Sequence, residues 1–400
     1  MQKNQIELAL PIDDWRNKVF SKPNKKIRLA TAFSGIGAIE HALVRLGLRH
    51  EIIFACDNDP FVKKSYMKNY AIKENVWFDD ISKINSKKYK GKIDLFVGGS
   101  PCQSFSMVGK RKGLEDTRGT LFYDFARIIE ESQPKVFIYE NVRGLLNHDN
   151  GKTWAVIQDV FNSLGYKFYS QILNSKHFGV PQNRNRIFVI GFKNKQTRFE
   201  FPSRIPLDFK MQDFLEDVED SKYFLKDEGV KFVTSIKNQD KSYTQINGAI
   251  ALCQKANQQF NWHGDFIFEE NKNNLEFDEH LFEIKNVDKK YYLSEKVTDY
   301  VLKQGTKNFQ TNSVETDLEV ARPLLQSMHK MHRAGVDNYV THSGKIRKLT
   351  PRECHRLMGF RDDFNIVVSD TQAYRQAGNS IVVDVLIAIL KQMDITKYAK

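Results

Sequence analysis

The stretch Ile93-Asp94-Leu95-Phe96-Val97-Gly98-Gly99-Ser100-Pro101-Cys102 joins a short apolar run to a rigid turn that carries a thiol. The first five residues are mostly β-branched, aromatic or otherwise apolar, which predicts a buried strand. The two glycines allow a tight turn, and Pro101 fixes one backbone dihedral. Open α/β sheets place their chemistry at strand ends, and the basic run Lys110-Arg111-Lys112 favours a thiolate. We therefore expect Cys102 to be a nucleophile rather than a buried, inert thiol.

A nucleotide-binding arrangement precedes this stretch. A predicted strand at 27–33 leads through Phe33-Ser34-Gly35-Ile36-Gly37 into a helix, and the next predicted strand ends on Asp57. The glycines let the backbone approach a ligand, and Asp57 can accept hydrogen bonds from ribose hydroxyls. Glu40 stands where the dinucleotide-binding fingerprint has its third glycine, and an acid there repels pyrophosphate and suits a cationic ligand. The pattern predicts nucleoside binding.

Further polar groups extend the predicted site. Glu140 follows an apolar strand, so a parallel sheet would place its carboxylate at the same edge as Cys102. In Gln182-Asn183-Arg184-Asn185-Arg186 two arginines alternate on one face, just before another apolar strand. Asp80, which precedes the apolar Ile81, either reads the edge of a base or is an ordinary solvated turn acid.

Composition limits the class of protein. Of the 400 residues, 41% are hydrophobic and 28% are charged, and the formal net charge is +12. These values are typical of a soluble globular protein with about two domains, and the positive charge favours a polyanionic partner. No apolar run reaches the length of a membrane span, and the N-terminus has no signal-peptide core. The cysteines stand far apart without a Cys-x-x-Cys pair, which argues against disulfides and zinc and favours a reducing, cytoplasmic compartment.

The alternation of strands and helices up to residue 191 predicts an α/β fold, with a Rossmann-like, mostly parallel sheet and helices on both faces. We divide the chain into an N-terminal extension at 1–26, a catalytic domain at 27–191, a smaller, irregular β-rich domain at 192–345 and a segment at 346–400 that returns to the catalytic domain. In the last segment Thr350 and Glu353 predict a capping box, and the apolar helix at 381–390 must be buried. His329, His332 and His342 lack the further ligands that a metal site needs.

Six motifs in this order make the chain resemble the C5-cytosine DNA methyltransferases, and most closely the bacterial enzymes of restriction–modification systems. The resemblance covers about 27–191 and 347–390 and leaves the middle of the chain uncovered. The motifs are Phe33-Ser34-Gly35-Ile36-Gly37, Ser100-Pro101-Cys102-Gln103, Glu140-Asn141-Val142, Gln182-x-Arg184-x-Arg186, Leu349-Thr350-Pro351-Arg352-Glu353 and Gly378-Asn379-Ser380. Each motif is weak alone, whereas all six in this order are highly specific.

The resemblance implies S-adenosylmethionine as the cofactor, with no metal. Asp57 would hold the ribose and Asp80 with Ile81 the adenine. Asn58 stands where many members have an aromatic residue that stacks on adenine, so the stacking must come from elsewhere, with Phe33 as a candidate. The residues implied to bind the cofactor are Phe33, Gly35, Ile36, Gly37, Asp57, Asn58, Asp80, Ile81, Pro101, Leu121, Asn379 and Ser380.

The resemblance also implies the chemistry. A Cys102 thiolate would add to C6 of cytosine and turn the ring into an enamine, whose C5 attacks the methyl group. Glu140 would pair with N3 and the exocyclic amine, Arg186 would contact O2, and Arg184 would support the same pocket. The cytosine must be flipped out of the duplex to reach the thiol, and the loop at 104–120 is expected to close over it.

The uncovered middle at 192–345 would be the target-recognition domain. It would read bases of double-stranded DNA in the major groove, and its Lys and Arg residues would contact phosphates. The resemblance implies protection of host DNA in a restriction–modification system, in which a cognate restriction endonuclease is a candidate partner. We expect a monomer with no membrane association.

Several alternatives compete with this interpretation. An RNA cytosine methyltransferase would use the same chemistry, although the long middle segment favours DNA. An amino-methylating enzyme would need an Asp/Asn-Pro-Pro-aromatic motif where Ser-Pro-Cys-Gln stands. The missing third glycine disfavours a nicotinamide oxidoreductase. The set of Cys102, Glu140 and Arg186 disfavours a catalytically silent DNA-binding regulator.

Overall fold

The computed structural model describes residues 14–101, 121–214, 244–246, 264–266, 287, 289–294, 297–298, 316–326, 337–342, 345–348 and 350–400. Cys102, the predicted loop at 104–120 and most of the predicted middle domain therefore lie outside the described residues. The chain divides into two compact units. The first comprises Met1–Gly179, Arg184–Leu207 and Ile381–Lys400, and the second comprises Val180–Asn183 and Asp208–Ser380. The four-part division expected from the sequence stays a prediction.

A seven-stranded sheet organises the first unit. Its spatial order is β3-β2-β1-β4-β5-β7-β6. The strands are β1 (Ile27–Ala32), β2 (His50–Cys56), β3 (Trp77–Phe78), β4 (Leu95–Gly98), β5 (Val136–Val142), β6 (Lys167–Asn174) and β7 (Asn185–Phe192). The first five are mutually parallel, whereas β7 runs antiparallel to both β5 and β6. The predicted Rossmann-like, mostly parallel sheet is confirmed.

Helices connect the strands of this unit and bury one face each. They are α1 (Ala38–Arg45), α2 (Pro60–Asn69), α3 (Leu121–Ser132) and α4 (Lys152–Ser163). Aromatic rings fill the space between α3 and the sheet, as in the stacked pair Phe96 and Phe125, whose ring centroids lie 4.7 Å apart. Burial of such large rings is the main source of stability in a core of this kind.

Strand β5 extends further than its apolar run predicts. The sequence places Glu140 just beyond the strand, whereas the structure places it inside β5, two residues before the end. Only the segment up to Tyr139 pairs with β4, whereas the whole of β5, from Val136 to Val142, pairs with β7. The strand continues because β7 supplies hydrogen-bond partners that a pattern of apolar residues cannot reveal.

The C-terminal helix α7 (Val383–Met393) belongs to the first unit. The guanidinium of Arg45 on α1 binds the carboxylate of Asp384 on α7 through two contacts of 2.8 Å. This bidentate pair joins the helix near the start of the chain to the helix near its end.

Within the ranges that the structure describes, the second unit contains α5 (Pro351–Arg356), α6 (Asp370–Asn379) and four short strands. These are the parallel pair β8 (Thr244–Ile246) and β9 (Gly264–Phe266) and the antiparallel pair β10 (Tyr339–His342) and β11 (Lys345–Lys348). The capping box predicted at the start of α5 is present, since Thr350 and Glu353 bond to each other's backbone N–H groups. The buried amide of Gln182 joins two segments of this unit, because it donates to the Leu357 carbonyl and accepts from the Leu324 N–H.

One apolar stretch, Asp370–Met393, is long and apolar enough to cross a membrane, which the sequence analysis did not expect. Its most apolar window of 18 residues has a mean hydropathy of 1.2, and 78% of that window is buried. The stretch is divided between α6 and α7, because Ser380 ends α6 in an extended conformation. The stretch is buried to the extent that is usual for core helices of a folded protein.

Candidate active site

Glu140 and Arg186 form an ion pair beside the end of β4. The antiparallel register of β5 and β7 pairs Val142 with Arg186, which brings the arginine to the level of the acid. The Arg186 Nε lies 3.1 Å from the Glu140 Oε1, and both side chains are mostly buried. Burial raises the pKa of Glu140, while the charges of Arg186 and Arg184 lower it. The carboxyl group is thereby placed to take up or release a proton beside a fixed positive charge.

Arg184 lies deeper than its neighbour in the motif. Its side chain is buried, and burial together with the nearby Arg186 lowers its pKa to about 9, an effect that Glu140 opposes. The Arg184 N–H donates to the side chain of Asn174 at 3.1 Å. Alternation along the chain therefore places two guanidinium groups near one carboxylate, as the sequence pattern suggested.

The end of β4 lies so close to the backbones of β1 and β5 that side chains are excluded there. A Cβ atom on Gly99 would lie 2.5 Å from the Glu140 carbonyl oxygen, and one on Gly98 would lie 2.4 Å from the Ala32 carbonyl oxygen. Both glycines are required by this approach. Pro101 is exposed and is the last described residue before the proposed nucleophile. The Cys102 thiol itself lies outside the described residues.

The turn between β1 and α1 adopts left-handed backbone conformations. Phe33, Gly35 and Gly37 have φ angles of 55°, 53° and 80°. Such a conformation is strained for Phe33, and strain of this kind clusters at binding sites. The Gly35 N–H donates to the Asp57 carboxylate at 3.0 Å, so the acid implied to hold the ribose also fixes the turn. A Cβ atom on Gly35 would meet nothing within 4 Å, so the backbone of the turn is open there to the approach of an adenosine-type ligand.

Tyr66 of α2 and Tyr70, the residue that follows this helix, support the turn from below, which sequence reasoning missed. The Tyr70 hydroxyl donates to the Gly37 carbonyl at 2.8 Å. A Cβ atom on Gly37 would lie 2.2 Å from the Tyr70 ring, so glycine is needed here for space as well as for its φ angle. The helical spacing of Tyr66 and Tyr70 could have indicated a buried face, but not what it packs against.

Glu40 does not face a ligand, in contrast to our interpretation of the sequence. The side chain is fully buried, and the Tyr66 hydroxyl donates to its Oε1 at 2.5 Å. Burial raises the pKa of Glu40 to about 7, although hydrogen bonds from Tyr66 and Thr31 oppose the change. An acid at this position therefore belongs to a buried polar cluster beneath the turn and does not repel a pyrophosphate at its surface.

The other residues implied to bind the cofactor have varied surroundings. Asn58 is exposed, and Ile36 and Ile81 are almost completely buried in the core. Asp80 caps a short 3-10 helix by accepting from the Ser82 N–H at 3.0 Å, which is the turn role that the sequence left open. Leu121 begins α3 and packs against the main core.

Asn379 and Ser380 end helix α6 of the second unit. Their expected contact with the cofactor stays a prediction. Across the described ranges, no group of three or more His, Cys, Asp or Glu side chains is placed to hold a metal ion.

Comparison with known proteins identifies the chain's relatives. The family description "C-5 cytosine-specific DNA methylase" matches residues 27–394. The orphan methyltransferase M.SPRI of Bacillus phage SPR is 32% identical and is matched over 92% of this chain and 97% of its own length. The Type II methyltransferase M.HpaII of Haemophilus parainfluenzae is 33% identical, over 93% of this chain and 91% of its own. The Type II methyltransferase M.HhaI of Haemophilus parahaemolyticus is 29% identical, over 90% and 92%.

Solved structures share the fold at lower sequence identity. The Dnmt2 methyltransferase of S. pombe superposes with a TM-score of 0.58 at 18% identity and covers 92% of this chain and 98% of its own. A putative DNA modification methyltransferase encoded within an E. coli prophage has a TM-score of 0.55 at 20% identity, over 92% and 98%. These similarities support the fold described above.

Proposed function

The chain belongs to the C-5 cytosine-specific DNA methylase family, and we propose that it transfers a methyl group from S-adenosylmethionine to C5 of a flipped cytosine in double-stranded DNA through a covalent Cys102 adduct. It is a DNA methyltransferase of the restriction–modification type, as its curated relatives are. The observation that carries the proposal is the Glu140–Arg186 pair, which lies beside the Gly99-Ser100-Pro101 turn that leads to Cys102.

The Phe33–Gly37 turn and Asp57 would hold the cofactor. Gly35 leaves its backbone open to the ligand. The Asp57 carboxylate accepts hydrogen bonds from the Gly35 and Asp59 N–H groups, and its remaining lone pairs can accept from the ribose hydroxyls. Pro101, Ile81, Leu121, Asn379 and Ser380 are proposed as further contacts, and Phe33 is proposed to stack on adenine because Asn58 has no ring. S-adenosylmethionine supplies an electrophilic methyl group when it is bound.

The protein's own groups would activate the cytosine. The Cys102 thiolate forms a bond to C6, and Glu140 delivers a proton to N3, so that negative charge does not accumulate on the ring. Arg186 would stabilise O2 of the base and orient the Glu140 carboxyl, while Arg184 keeps positive charge beneath both. After C5 has accepted the methyl group, loss of the C5 proton to a base restores the double bond and expels the Cys102 thiolate.

We also propose the biological setting. The family implies a soluble, cytoplasmic enzyme that acts on DNA, and we propose that it works as a monomer. Several relatives are Type II methyltransferases, so we propose protection of host DNA, with a cognate restriction endonuclease as companion enzyme. Digestion of host DNA from cells that express or lack the protein tests this, because protection must make one recognition sequence resistant to cleavage.

Tritiated methyl transfer to plasmid DNA, followed by bisulfite sequencing, tests the activity and reveals the target sequence together. A tRNA substrate in the same assay tests the RNA alternative. Methylation of tRNA without methylation of duplex DNA would contradict the proposed substrate.

Replacement of the nucleophile gives the sharpest test of the covalent mechanism. We expect Cys102→Ala to abolish transfer and to leave S-adenosylmethionine binding almost unchanged, because the thiol is proposed to touch the base and not the cofactor. Wild-type protein should form a denaturation-resistant adduct with DNA that contains 5-fluorocytosine, since fluorine at C5 cannot leave as a proton. Cys253→Ala is the control, as that cysteine lies outside all six motifs. Loss of cofactor affinity in Cys102→Ala, or no adduct on methylatable DNA, would contradict the mechanism.

A further inference from the structure

Three polar side chains meet in the interior directly before the segment that carries Cys102. Ser100, Tyr139 and Asn141 are all buried. The Tyr139 Oη lies 2.9 Å from the Ser100 Oγ. The Asn141 Nδ2 donates to the Tyr139 Oη and to the Ser100 carbonyl, each at 2.9 Å. This cluster, which we call the Ser100 anchor, ties the end of β4 to β5 through side chains.

Strand register explains why these residues meet. Gly98 of β4 pairs with Tyr139 of β5, and Ser100 follows Gly98 by two residues. Side chains alternate along a strand, so Tyr139 and Asn141 share one face of β5 and Glu140 occupies the other. Strand β5 therefore presents its carboxylate to Arg186 on one face and holds the end of β4 from the other.

Pro101 makes a side-chain anchor necessary at this point. Proline has no backbone N–H, so the peptide between Ser100 and Pro101 cannot donate to a neighbouring strand. The Ser100 carbonyl is instead held by the Asn141 amide, whose Oδ1 accepts from the Val142 N–H at 2.9 Å. The Tyr139 Oη accepts from the Asn141 Nδ2 and also shares a hydrogen bond with the Ser100 Oγ, in which either hydroxyl can be the donor.

The Tyr139 ring is held independently of its hydroxyl. It packs against the rings of Phe122, Phe125 and Phe161, with centroid distances of 5.8, 5.2 and 5.7 Å. Replacement by phenylalanine therefore keeps the packing and removes only the hydrogen bonds of the hydroxyl.

We propose that the Tyr139 hydroxyl is a positioning group for the nucleophile, which acts through Ser100 to set the direction in which the chain leaves β4 toward Cys102. The inference rests on the proposed function, in which Cys102 attacks the base. A misplacement of a reacting group by about 1 Å can cost about 100-fold in rate, so a hydroxyl with no chemistry of its own can control turnover.

Tyr139→Phe tests the proposal, with Tyr166→Phe as a matched control. Tyr166 is also a buried tyrosine whose hydroxyl bonds to backbone, since it donates to the Pro134 carbonyl at 2.6 Å, just before the start of β5. We expect Tyr139→Phe to lower the single-turnover rate of methyl transfer about 10-fold or more at saturating cofactor and DNA. The dissociation constant of S-adenosylmethionine, measured by calorimetry, should change by less than about threefold, because the Phe33–Gly37 turn and Asp57 lie outside the anchor and Pro101 is the one proposed cofactor contact that adjoins it. Tyr166→Phe should alter neither quantity, although its thermal stability should fall by a similar amount.

Ser100→Ala removes the same hydrogen bond from its other end. If both groups act through that bond, the double variant Ser100→Ala/Tyr139→Phe should be no slower than the slower single variant. Rate losses that multiply in the double variant would show that the two hydroxyls act separately and would overturn the anchor as the cause.

Alkylation of Cys102 by iodoacetamide, followed by mass spectrometry of its peptide, supplies a measurement that does not need methyl transfer. We expect the alkylation rate to change at least about twofold in Tyr139→Phe and to stay at the wild-type value in Tyr166→Phe, because thiol reactivity follows its surroundings. Equal transfer and alkylation rates in the two variants would overturn the positioning role and leave the proposed function intact. Wild-type protein that methylates no DNA would overturn the proposed function, and the alkylation comparison would still decide the role of Tyr139.

Discussion

Burial and neighbouring positive charge shift the pKa of Glu140 in opposite directions. Burial raises the pKa of Glu140, whereas the neighbouring Arg186 and Arg184 oppose that rise. A raised pKa suits the role that we propose for Glu140, in which it gives a proton to N3 of the cytosine and then recovers it. Glu40 has no such arginine, and its pKa rises to about 7. Similar side chains therefore serve different purposes because of what surrounds them.

Glu40 makes the stability of the fold depend on pH. Its pKa is raised from 4.5 to about 7, so between these values the unfolded chain has lost a proton that the folded protein keeps. Stability is therefore fully present below about pH 4.5 and decreases as the pH rises through about 7. Glu40→Gln removes this dependence while it can still accept from Tyr66. We expect the stability of wild type relative to this variant, measured by urea unfolding, to fall by about 2 to 3 kcal/mol between pH 5 and pH 8.

Glu51→Gln is the control for this measurement. Glu51 is an exposed acid on β2 whose partner Lys26 lies 3.9 Å away, so its replacement should leave the pH profile of stability unchanged. If the free energies of unfolding of wild type and Glu40→Gln differed by the same amount at every pH, the raised pKa of Glu40 would be contradicted.

The candidate site is built from residues at or near the ends of strands. Strand β4 stops at Gly98 where it meets β1, and Gly99 lies against the backbone of β5. Strand β7 runs in the opposite direction and brings Arg186 to the same level. The mixed sheet thus brings together groups from the three strands β4, β5 and β7. In a purely parallel sheet all three strands would reach the site from the same direction.

A methyl group at Gly99 should disturb this junction. In Gly99→Ala the new Cβ would lie 2.5 Å from the Glu140 carbonyl oxygen and 3.1 Å from its Oε2, so β4 and β5 must separate. We expect a loss of about 1 to 3 kcal/mol in the free energy of unfolding, as for other overpacked sites, together with slower methyl transfer. Chemical denaturation and initial-rate assays measure the two effects.

Gly144→Ala provides the comparison for this substitution. A Cβ atom there meets nothing within 4 Å, and Gly144 has no positive φ angle. The substitution should be neutral or slightly stabilising, because alanine restricts the unfolded chain. If Gly99→Ala were as stable and as active as Gly144→Ala, the close approach of β4 to β5 would not matter for the site.

The charge of the whole molecule matches its substrate class. A net charge of +12 over 400 residues gives the protein a long-range attraction to a polyanion. Such attraction orients and accelerates encounter with DNA, whereas recognition of one sequence depends on a few side chains that reach base edges. Affinity and specificity are therefore expected to respond differently to salt.

DNA binding should weaken steeply as salt increases. Each neutralised phosphate contributes about −0.9 to the slope of log affinity against log salt concentration, so six or more contacts predict a slope of about −5 or steeper. Fluorescence anisotropy with labelled duplex DNA between about 50 and 200 mM salt measures this slope. Cofactor binding without DNA is the internal control and should change little. A DNA-binding slope shallower than about −2 would contradict a phosphate-dominated interface.

The sequence by itself determined the local elements, the sheet class and the family. Apolar runs with glycine turns identified β1, β2 and β4, and the Thr350 capping box identified the start of α5, because these signals lie within a few neighbouring residues. The order of six motifs indicated a C5-cytosine methyltransferase, which the family match over 27–394 confirms.

Only the tertiary structure decided which distant side chains meet. The antiparallel placement of β7 set Arg186 opposite Val142 of β5, and this brought its Nε within 3.1 Å of the Glu140 carboxylate. The contact between α1 and α2 directed the Glu40 carboxyl to the Tyr66 hydroxyl. The approach of β4 to β5 created the Ser100 anchor. The physical reason is that residue periodicity reports which face of an element is buried, whereas the partner on that face depends on strand order and register across the whole chain.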